Sequence, residues 1–297
     1  MTTGTVYITI DGTRTQLTYN AGTGAWEAQI QAPGKTSFNQ PGGYYNALVE
    51  ATNTAGTTGS ADGSTIEGLR LKVLEKIKPV ITITSPTSGA YITNAQQPIT
   101  GTVVDEVNGS GVDPDTLVVK LDGVVLEGVQ TSAITNGYSF TVTPPTMNQG
   151  SRTVTVEASD NDGNAADIKS VTFTVDTIPP TLNITSPSEG LITNTQSVTV
   201  AGVTNDATSS PVTVKISLNG QDQGTVTVGS GGNFSKVVNL REGDNVIVVT
   251  ATDAAGKSSS VTRNVKLDTT VPKIISATIT PNPADTGATM IVKVVIE

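Results

Sequence analysis

The chain has 297 residues, 26 acidic and 17 basic side chains, a net charge of −9, and neither Cys nor His. This composition excludes disulfides and thiolate chemistry, removes the commonest general base, and argues against nucleic acid as a partner. Aromatic residues make up only 4%, and Thr, Val, Ser and Gly dominate. The chain is therefore predicted to be all-β.

The first predicted unit, residues 1–77, starts with the strand and turn YITIDG. Asp11-Gly12 is a typical hairpin turn, because both central positions need a positive φ. Later strands are predicted in RTQLTYN, AWEAQIQA, YYNALVEAT and GLRLKVLEK. Few residues precede this turn, so the unit is predicted to lack the first strands of a repeat that the next unit contains in full.

The second predicted unit, residues 78–177, begins with KPVITITSPTSGAYITN. Two early strands, VITITSP and PITGTVVDE, precede the turn in VVKLDG. Alternation of apolar and polar residues along two later strands predicts a half-buried face. The residues predicted to point inward are Val154, Val156 and Ala158, followed by Val171, Phe173 and Val175.

The third predicted unit, residues 178–270, repeats the second. PPTLNITSPSEGLITN follows KPVITITSPTSGAYITN at a spacing of about a hundred residues, and KISLNG repeats the turn of VVKLDG. VIVVTATDAAGK likewise repeats TVTVEASDNDGN, with NALVEATNTAG as a third copy in the first unit. Self-similarity with this period indicates tandem modules, and their short alternating strands favour β-sandwiches.

The last segment, residues 271–297, is predicted to be a partial unit with the first two strands only, VPKIISATITP and ATMIVKVVIE. The final strand is apolar on both faces, so both need cover, and its free edge invites pairing. We predict that the two strands of this segment complete the sandwich at the head of another subunit, by strand addition. The predicted interface residues are Met290, Ile291, Val292, Val294, Val295 and Ile296, with Val6, Ile8 and Ile10.

The two ends of the chain also allow alternatives to this contact. The first unit can be a complete, smaller sandwich. The last segment then docks on the third unit or on a different protein, or it is the cut edge of a longer chain.

Acidic residues in the second unit raise the question of a Ca²⁺ site. Asp160, Asp162 and Asn164 in DNDGN, together with Asp105, are the candidate ligands. The Gly of this loop stands in the wrong place for a Ca²⁺ loop, and Val171 stands where a bidentate Glu is required. We therefore favour a hairpin turn in which Asp and Asn cap backbone amides, and we predict no cofactor.

Three segments resemble bacterial immunoglobulin-like repeats: ITSP, DEVNGSGVDPDTLVVKLDG and EASDNDGNAADIKSVTFTVDTIPP. Similar modules occur in phage tail and virion proteins and in bacterial surface stalks, and the resemblance covers most of residues 78–270. It implies tandem Ig-like β-sandwiches. Because the linkers DTIPP and DTTVP are short and contain Pro, we expect an elongated rod.

These observations predict a structural or interaction protein and not an enzyme. The sequence has no G-x-S-x-G elbow and no P-loop, and a Ser nucleophile would lack a His to activate it. We expect a phage virion or tail-like component that assembles by strand addition and attaches to a cell-surface glycan or protein. The alternative is a stalk fragment of a bacterial adhesin, or accessory modules of an extracellular enzyme.

The location is expected to be a virion, the cell surface or the extracellular space. The first residues, MTTGTVYITIDG, lack the basic and apolar regions of a signal peptide. We therefore expect synthesis in the cytoplasm and release with a particle or by lysis. No apolar run is long enough for membrane insertion. The expected partner, reached through the C-terminal strands, is the chain itself or another structural subunit.

Overall fold

The structure, a computed structural model, describes residues 3–297 apart from the side chains of Thr3 and Thr225. The described residues form strands, turns and two single-turn 3-10 helices, at Pro41–Gly43 and Glu67–Leu69. Neither helix has the length or the apolar character to cross a membrane. The prediction of an all-β fold is confirmed. The chain divides into two compact units, one ending at Thr177 and one beginning at Ile178.

The first compact unit begins with one antiparallel five-stranded sheet, called the first sheet, in the order β3-β2-β1-β5-β6. Its strands are β1 (Thr3–Ile10), β2 (Thr13–Asn20), β3 (Ala25–Glu27), β5 (Leu48–Asn53) and β6 (Thr58–Ala61). Two short strands, β4 (Tyr45–Asn46) and β7 (Arg70–Leu71), pair with each other.

Two strands predicted in this region are shorter than expected. In AWEAQIQA only Ala25–Glu27 is a strand, since its pairing with β2 ends at Thr18 opposite Glu27. In GLRLKVLEK the strand is limited to Arg70–Leu71 and follows a 3-10 turn. Both strands were predicted too long, because alternation alone does not show where a neighbouring strand is available for pairing.

The rest of the first compact unit is a closed sandwich of two sheets, in the orders β13-β14-β10-β8 and β12-β11-β15-β16-β9. The early strands are β8 (Val80–Ser85), β9 (Tyr91–Ile92), β10 (Ile99–Val104), β11 (Val112–Leu121) and β12 (Val124–Val125). The later strands are β13 (Gln130–Ile134), β14 (Gly137–Val142), β15 (Gly150–Asp160) and β16 (Lys169–Val175).

One core fills the space between these two sheets. It joins residues of the smaller sheet, such as Ile99 and Val103, to residues of the larger sheet, such as Val119 and Phe173. The predicted inward-facing residues are all buried, which confirms the alternation read from the sequence; they are Val154, Val156, Ala158, Val171, Phe173 and Val175.

The second compact unit contains a similar sandwich, with sheets in the orders β17-β19-β22 and β18-β24-β23-β20-β21. Its strands are β17 (Thr181–Ser186), β18 (Leu191–Thr193), β19 (Ser197–Asn205), β20 (Thr213–Leu218), β21 (Gln221–Val226), β22 (Asn233–Asn239), β23 (Gly243–Thr252) and β24 (Ser258–Leu267). Two further strands follow, β25 (Ile274–Thr280) and β26 (Ile291–Ile296), which pair with each other.

The three predicted hairpin turns have the expected backbone. Asp11, Asp122 and Asn219 have φ values of 47°, 50° and 52°, and the Gly after each is also positive. These residues allow the left-handed conformation that a two-residue hairpin loop requires. The same turn therefore recurs in the first sheet and in both closed sandwiches.

Both closed sandwiches also contain a glycine at a point of close approach. A Cβ on Gly101 would lie 2.3 Å from the backbone oxygen of Thr82 and 2.4 Å from the ring of Phe140. A Cβ on Gly202 would similarly lie 2.4 Å from the backbone oxygen of Asn183 and 2.7 Å from the ring of Phe234. In each module an aromatic ring packs over a glycine of the neighbouring strand.

Candidate functional site

The last two strands, β25 and β26, form a two-stranded pair that we call the C-terminal hairpin. Among the described residues, each of these strands pairs only with the other. The predicted interface residues of this hairpin are between 49% and 69% exposed; they are Met290, Ile291, Val292, Val294, Val295 and Ile296. Exposed apolar side chains grouped in this way are typical of interaction sites.

The two faces of the hairpin differ. Ile279 lies opposite Val292, and Ala277 lies opposite Val294, so these four residues share one apolar face. The other face carries Lys293 opposite Thr278, and is therefore mixed. The sequence predicted apolar residues on both faces of β26, with Lys293 on this one. The residues of β25 opposite this face are polar, namely Ser276, Thr278 and Thr280.

The predicted partner residues of the first sheet lie on one face of β1. Val6 is buried, whereas Ile8 and Ile10 are half-buried. Val6 lies opposite Leu17 of β2, and Ile8 lies opposite Val49 of β5, both half-buried. This apolar face, which we call the first-sheet face, therefore has only partial cover.

Strand order relates the first sheet to the closed sandwiches. The run β2-β1-β5-β6 corresponds to β12-β11-β15-β16 in one sandwich and to β21-β20-β23-β24 in the other. Each closed sandwich also has an earlier antiparallel pair in its second sheet, β8 with β10 or β17 with β19. The described part of residues 3–77 has no such pair.

The C-terminal hairpin has the connectivity of these early pairs. A strand, an X-Pro step and a connection of similar length lead to an antiparallel partner in β8–β10, β17–β19 and β25–β26. One detail differs. The register irregularity lies near the end of the first strand in β8 and β17, but near its start in β25.

The four Ca²⁺ candidates from the sequence do not form one group. Both carboxylate oxygens of Asp160 accept hydrogen bonds from Asn164, at 2.8 Å from its backbone N and 2.8 Å from its Nδ2. Asp162 Oδ2 accepts hydrogen bonds from Thr36 Oγ1 at 2.6 Å and from the backbone N of Glu75 at 3.0 Å. These oxygens are used in a turn and in contacts with residues 3–77.

Asp105 lies in a different cluster, with Glu75 and Glu106. One carboxylate oxygen from each of the three lies within 4.8 Å of the others. Burial, together with the neighbouring Asp105 carboxyl, raises the pKa of Glu106 to about 7. Glu75 was missed from the sequence because it precedes Asp105 by a whole strand pair, although the adjacent acidic pair Asp105-Glu106 was visible.

Two family models match this chain. Residues 79–156 match the family described as bacterial Ig domain, and residues 180–269 match the family described as glucodextranase, domain B. The second match spans the whole closed sandwich of β17–β24, and the first covers the other closed sandwich from β8 into β15. The chain therefore carries tandem Ig-like β-sandwich modules, as the resemblance of its repeats implied.

Known proteins give further similarities. The chain is 30% identical over 179 residues to bacillopeptidase F from Bacillus subtilis (strain 168), which covers 60% of this chain and 11% of that protein. The chain thus spans about a tenth of that relative's length. The fibronectin(III)-like modules of Clostridium thermocellum CbhA are 15% identical, covering 64% of this chain and 94% of theirs, with a TM-score of 0.40.

The immunoglobulin domains 1–5 of Sidekick-1 are 13% identical, with coverage of 92% of this chain and 55% of that chain and a TM-score of 0.39.

Proposed function

We propose that this chain is a non-enzymatic structural and interaction protein whose C-terminal hairpin completes a sandwich with the first sheet of a second copy. The observation that carries this proposal is the uncovered apolar face of the hairpin. Burying that face is favourable by roughly 25 cal/mol for each Å² of apolar surface removed from water.

The second copy is the proposed occupant because the uncovered hairpin face and the partly covered first-sheet face complement each other in topology. In the closed sandwich of residues 80–175, the pair β8–β10 contributes Ile81, Ile83, Ile99 and Val103 to a core shared with the larger sheet. The hairpin would cover the first-sheet face in the corresponding way. Val292 and Val294 would then pack towards Val6, Ile8 and Ile10.

This contact joins different surfaces of the two copies, so it is heterologous. A heterologous contact that repeats produces a ring when the rotation closes and a filament when it does not. Assembly of this type would present many copies of the module loops. Attachment to a cell-surface glycan or protein would then depend on multivalency and not on one deep site.

We propose an extracellular or surface location. Support comes from the bacterial Ig-domain match over residues 79–156 and from the similarity to bacillopeptidase F. Within this class, we propose that the chain is part of a phage virion or tail-like particle and is released with that particle or by lysis. The contact between the hairpin and the first-sheet face is the property such a particle would use.

Accessory modules of an extracellular enzyme are the second candidate function. The observation that favours it is the 30% identity to bacillopeptidase F over 179 residues. Under this alternative, the hairpin face is covered by neighbouring residues of a larger protein. The chain of 297 residues would then show no specific association with itself.

Sedimentation velocity of the full chain separates these candidates. We expect species larger than a monomer as the concentration rises to about 100 μM, a range that detects weak specific contacts. The double substitution Val292→Lys/Val294→Lys places two charges on the apolar face and is expected to abolish association. Thr278→Lys on the mixed face is the control and should associate like the parent chain.

A monomer throughout this range would contradict the proposal and favour the accessory-module function. Equal association of the parent chain and the double variant would also contradict it, because the hairpin face would then be irrelevant.

A further inference from the structure

Three carboxylates meet in the first compact unit without a basic partner. Glu75 lies in the segment between β7 and β8, and Asp105 and Glu106 follow the end of β10. One oxygen of each lies within 4.8 Å of the others. The ion pairs formed by the described residues do not include any of the three. No ion pair therefore offsets the mutual repulsion of these carboxyl groups when they are ionised.

Unpartnered oxygens provide a second, independent observation. Asp105 is only 4% exposed, and its Oδ1 has no hydrogen-bond partner among the described residues. Glu106 Oε2 is also buried and without such a partner. Buried polar atoms are nearly always paired, because an unpaired one loses its hydration without compensation.

Nearby donors hold the second oxygen of Asp105 and both oxygens of Glu75. Asp105 Oδ2 accepts a hydrogen bond from the Gly111 N–H at 2.7 Å, and Glu75 Oε2 accepts one from the Ile77 N–H at 2.7 Å. Ser110 Oγ donates to Glu75 Oε1 at 3.3 Å. Asp105 and Glu75 are thus held in position by the loop around them.

Gly109 closes the loop against the carboxylates. A Cβ on Gly109 would lie 2.5 Å from Asp105 Oδ2 and 2.9 Å from Glu106 Oε1. The side-chain Nδ2 of Asn39 donates to the Gly109 carbonyl at 2.8 Å. The backbone at Gly109 therefore lies close beside the carboxylates, and Asn39, from the part of the chain before the closed sandwich, holds it there.

We propose that Glu75, Asp105 and Glu106 bind one Ca²⁺ ion. Carboxylate oxygens are hard ligands, and Ca²⁺ accepts six to eight oxygens in flexible geometry, with water completing the shell. The ion satisfies the free oxygens of Asp105 and Glu106 and offsets two of the three negative charges. It also links the segment between β7 and β8, which contains Glu75, to the loop after β10, which contains Asp105 and Glu106.

This site differs from the one considered from the sequence. Asp105 is the one residue common to both sets, because the oxygens of Asp160 and one oxygen of Asp162 are already hydrogen-bonded. A proton shared between Glu106 and Asp105 is the competing way to satisfy the buried oxygens. The experiment therefore has to distinguish a bound cation from a shared proton.

The test is a CaCl₂ titration of the full chain, followed through the backbone amide NMR signals of Gly109 and Gly111. We expect both signals to shift and saturate below about 10 mM, roughly tenfold above the weakest affinities of extracellular Ca²⁺ modules. Glu75→Gln and Glu106→Gln should each weaken the affinity at least tenfold. Asp115→Asn, at an exposed acidic residue outside the cluster, is the matched control and should bind like the parent chain.

The calcium-free amide spectra of the two Gln variants check that they are folded, and removal of a charge from a repulsive cluster should not unfold them. Unchanged Gly109 and Gly111 signals in the parent chain at about 10 mM Ca²⁺, beyond the range of such sites, would overturn the proposal in favour of a shared proton. Parent-like affinity in both Gln variants would overturn it as well.

Discussion

Strand β5 of the first sheet and strand β15 of the closed sandwich carry the same repeat motif but differ in burial. In NALVEATNTAG, Val49 and Ala51 are half-buried, whereas in TVTVEASDNDGN the corresponding Val156 and Ala158 are buried. Alternation is the same in both, so it specifies which face points inward. The depth of burial depends on what lies opposite the strand: a second sheet covers β15, whereas β5 is only half-buried.

The early strand pairs differ in the same way. Ile99 and Val103 of β10 are fully buried, whereas Val292 and Val294 of β26 are exposed. The first sheet and the C-terminal hairpin thus each have a more deeply buried counterpart in the closed sandwich, at the same position in the repeat. The following predictions test whether this difference in burial determines how much a substitution lowers the free energy of unfolding.

Phe173→Ala should have the largest effect. Phe173 is 1% exposed in the core of the closed sandwich, and truncation of a buried Phe costs about 3–5 kcal/mol of unfolding free energy. Urea denaturation, followed on the transition of the first compact unit, measures this loss. Val124→Ala, at an exposed site of the same sheet, should change it by less than about 0.5 kcal/mol.

Gly101→Ala should have the next largest effect. The added Cβ would overlap the Thr82 carbonyl and the Phe140 ring, and overpacking of this kind costs about 1–3 kcal/mol. Gly59→Ala in β6 is the control, because a Cβ there meets nothing within 4 Å. Equal destabilisation by both substitutions would remove the distinction between the closed sandwich and the first sheet.

Ile8→Ala should cost about 1–2 kcal/mol, less than the 2–5 kcal/mol of a fully buried Ile, since the first-sheet face is only half-buried. Thermal unfolding at low and high protein concentration measures it. The cost should rise with concentration when a second copy covers this face. A loss as large as that of Phe173→Ala in dilute solution would show that the face is already closed.

Two ion pairs should contribute least and should not differ between the regions. Arg14 pairs with Glu50 at 3.1 Å in the first sheet, and Lys120 pairs with Glu157 at 2.6 Å in the closed sandwich. Both pairs are partly exposed, and such pairs contribute about 0–1 kcal/mol. Arg14→Met and Lys120→Met should therefore have similarly small effects on urea denaturation.

Local patterns in the sequence predicted much of the fold. Period-2 alternation identified the buried residues of β15 and β16, and the Asp-Gly and Asn-Gly pairs identified the hairpin turns. These features depend on backbone geometry within a few residues, so a short segment is enough to specify them. The division into four units at residues 77, 177 and 270 stays a prediction.

Features set by distant residues were not predictable in the same way. The early end of β3 depends on its pairing with β2, and the mixed face of the hairpin depends on the register between β25 and β26. The carboxylate cluster joins Glu75 to Asp105 and Glu106, because the antiparallel pair of β8 and β10 returns the chain to the neighbourhood of Glu75. The alternation of apolar and polar residues carries no information about contacts between residues that are distant in the sequence.

A mixing experiment tests the central claim most directly. One chain carries Val292→Lys/Val294→Lys and has no working hairpin. The other carries Leu17→Lys, on the first-sheet face, and has no working acceptor. Each chain alone should sediment as a monomer, and an equimolar mixture should form a one-to-one dimer, because one intact hairpin meets one intact face.

A mixture that stays monomeric would contradict the account, as would association of the Leu17→Lys chain on its own, which would show that the hairpin pairs with another hairpin.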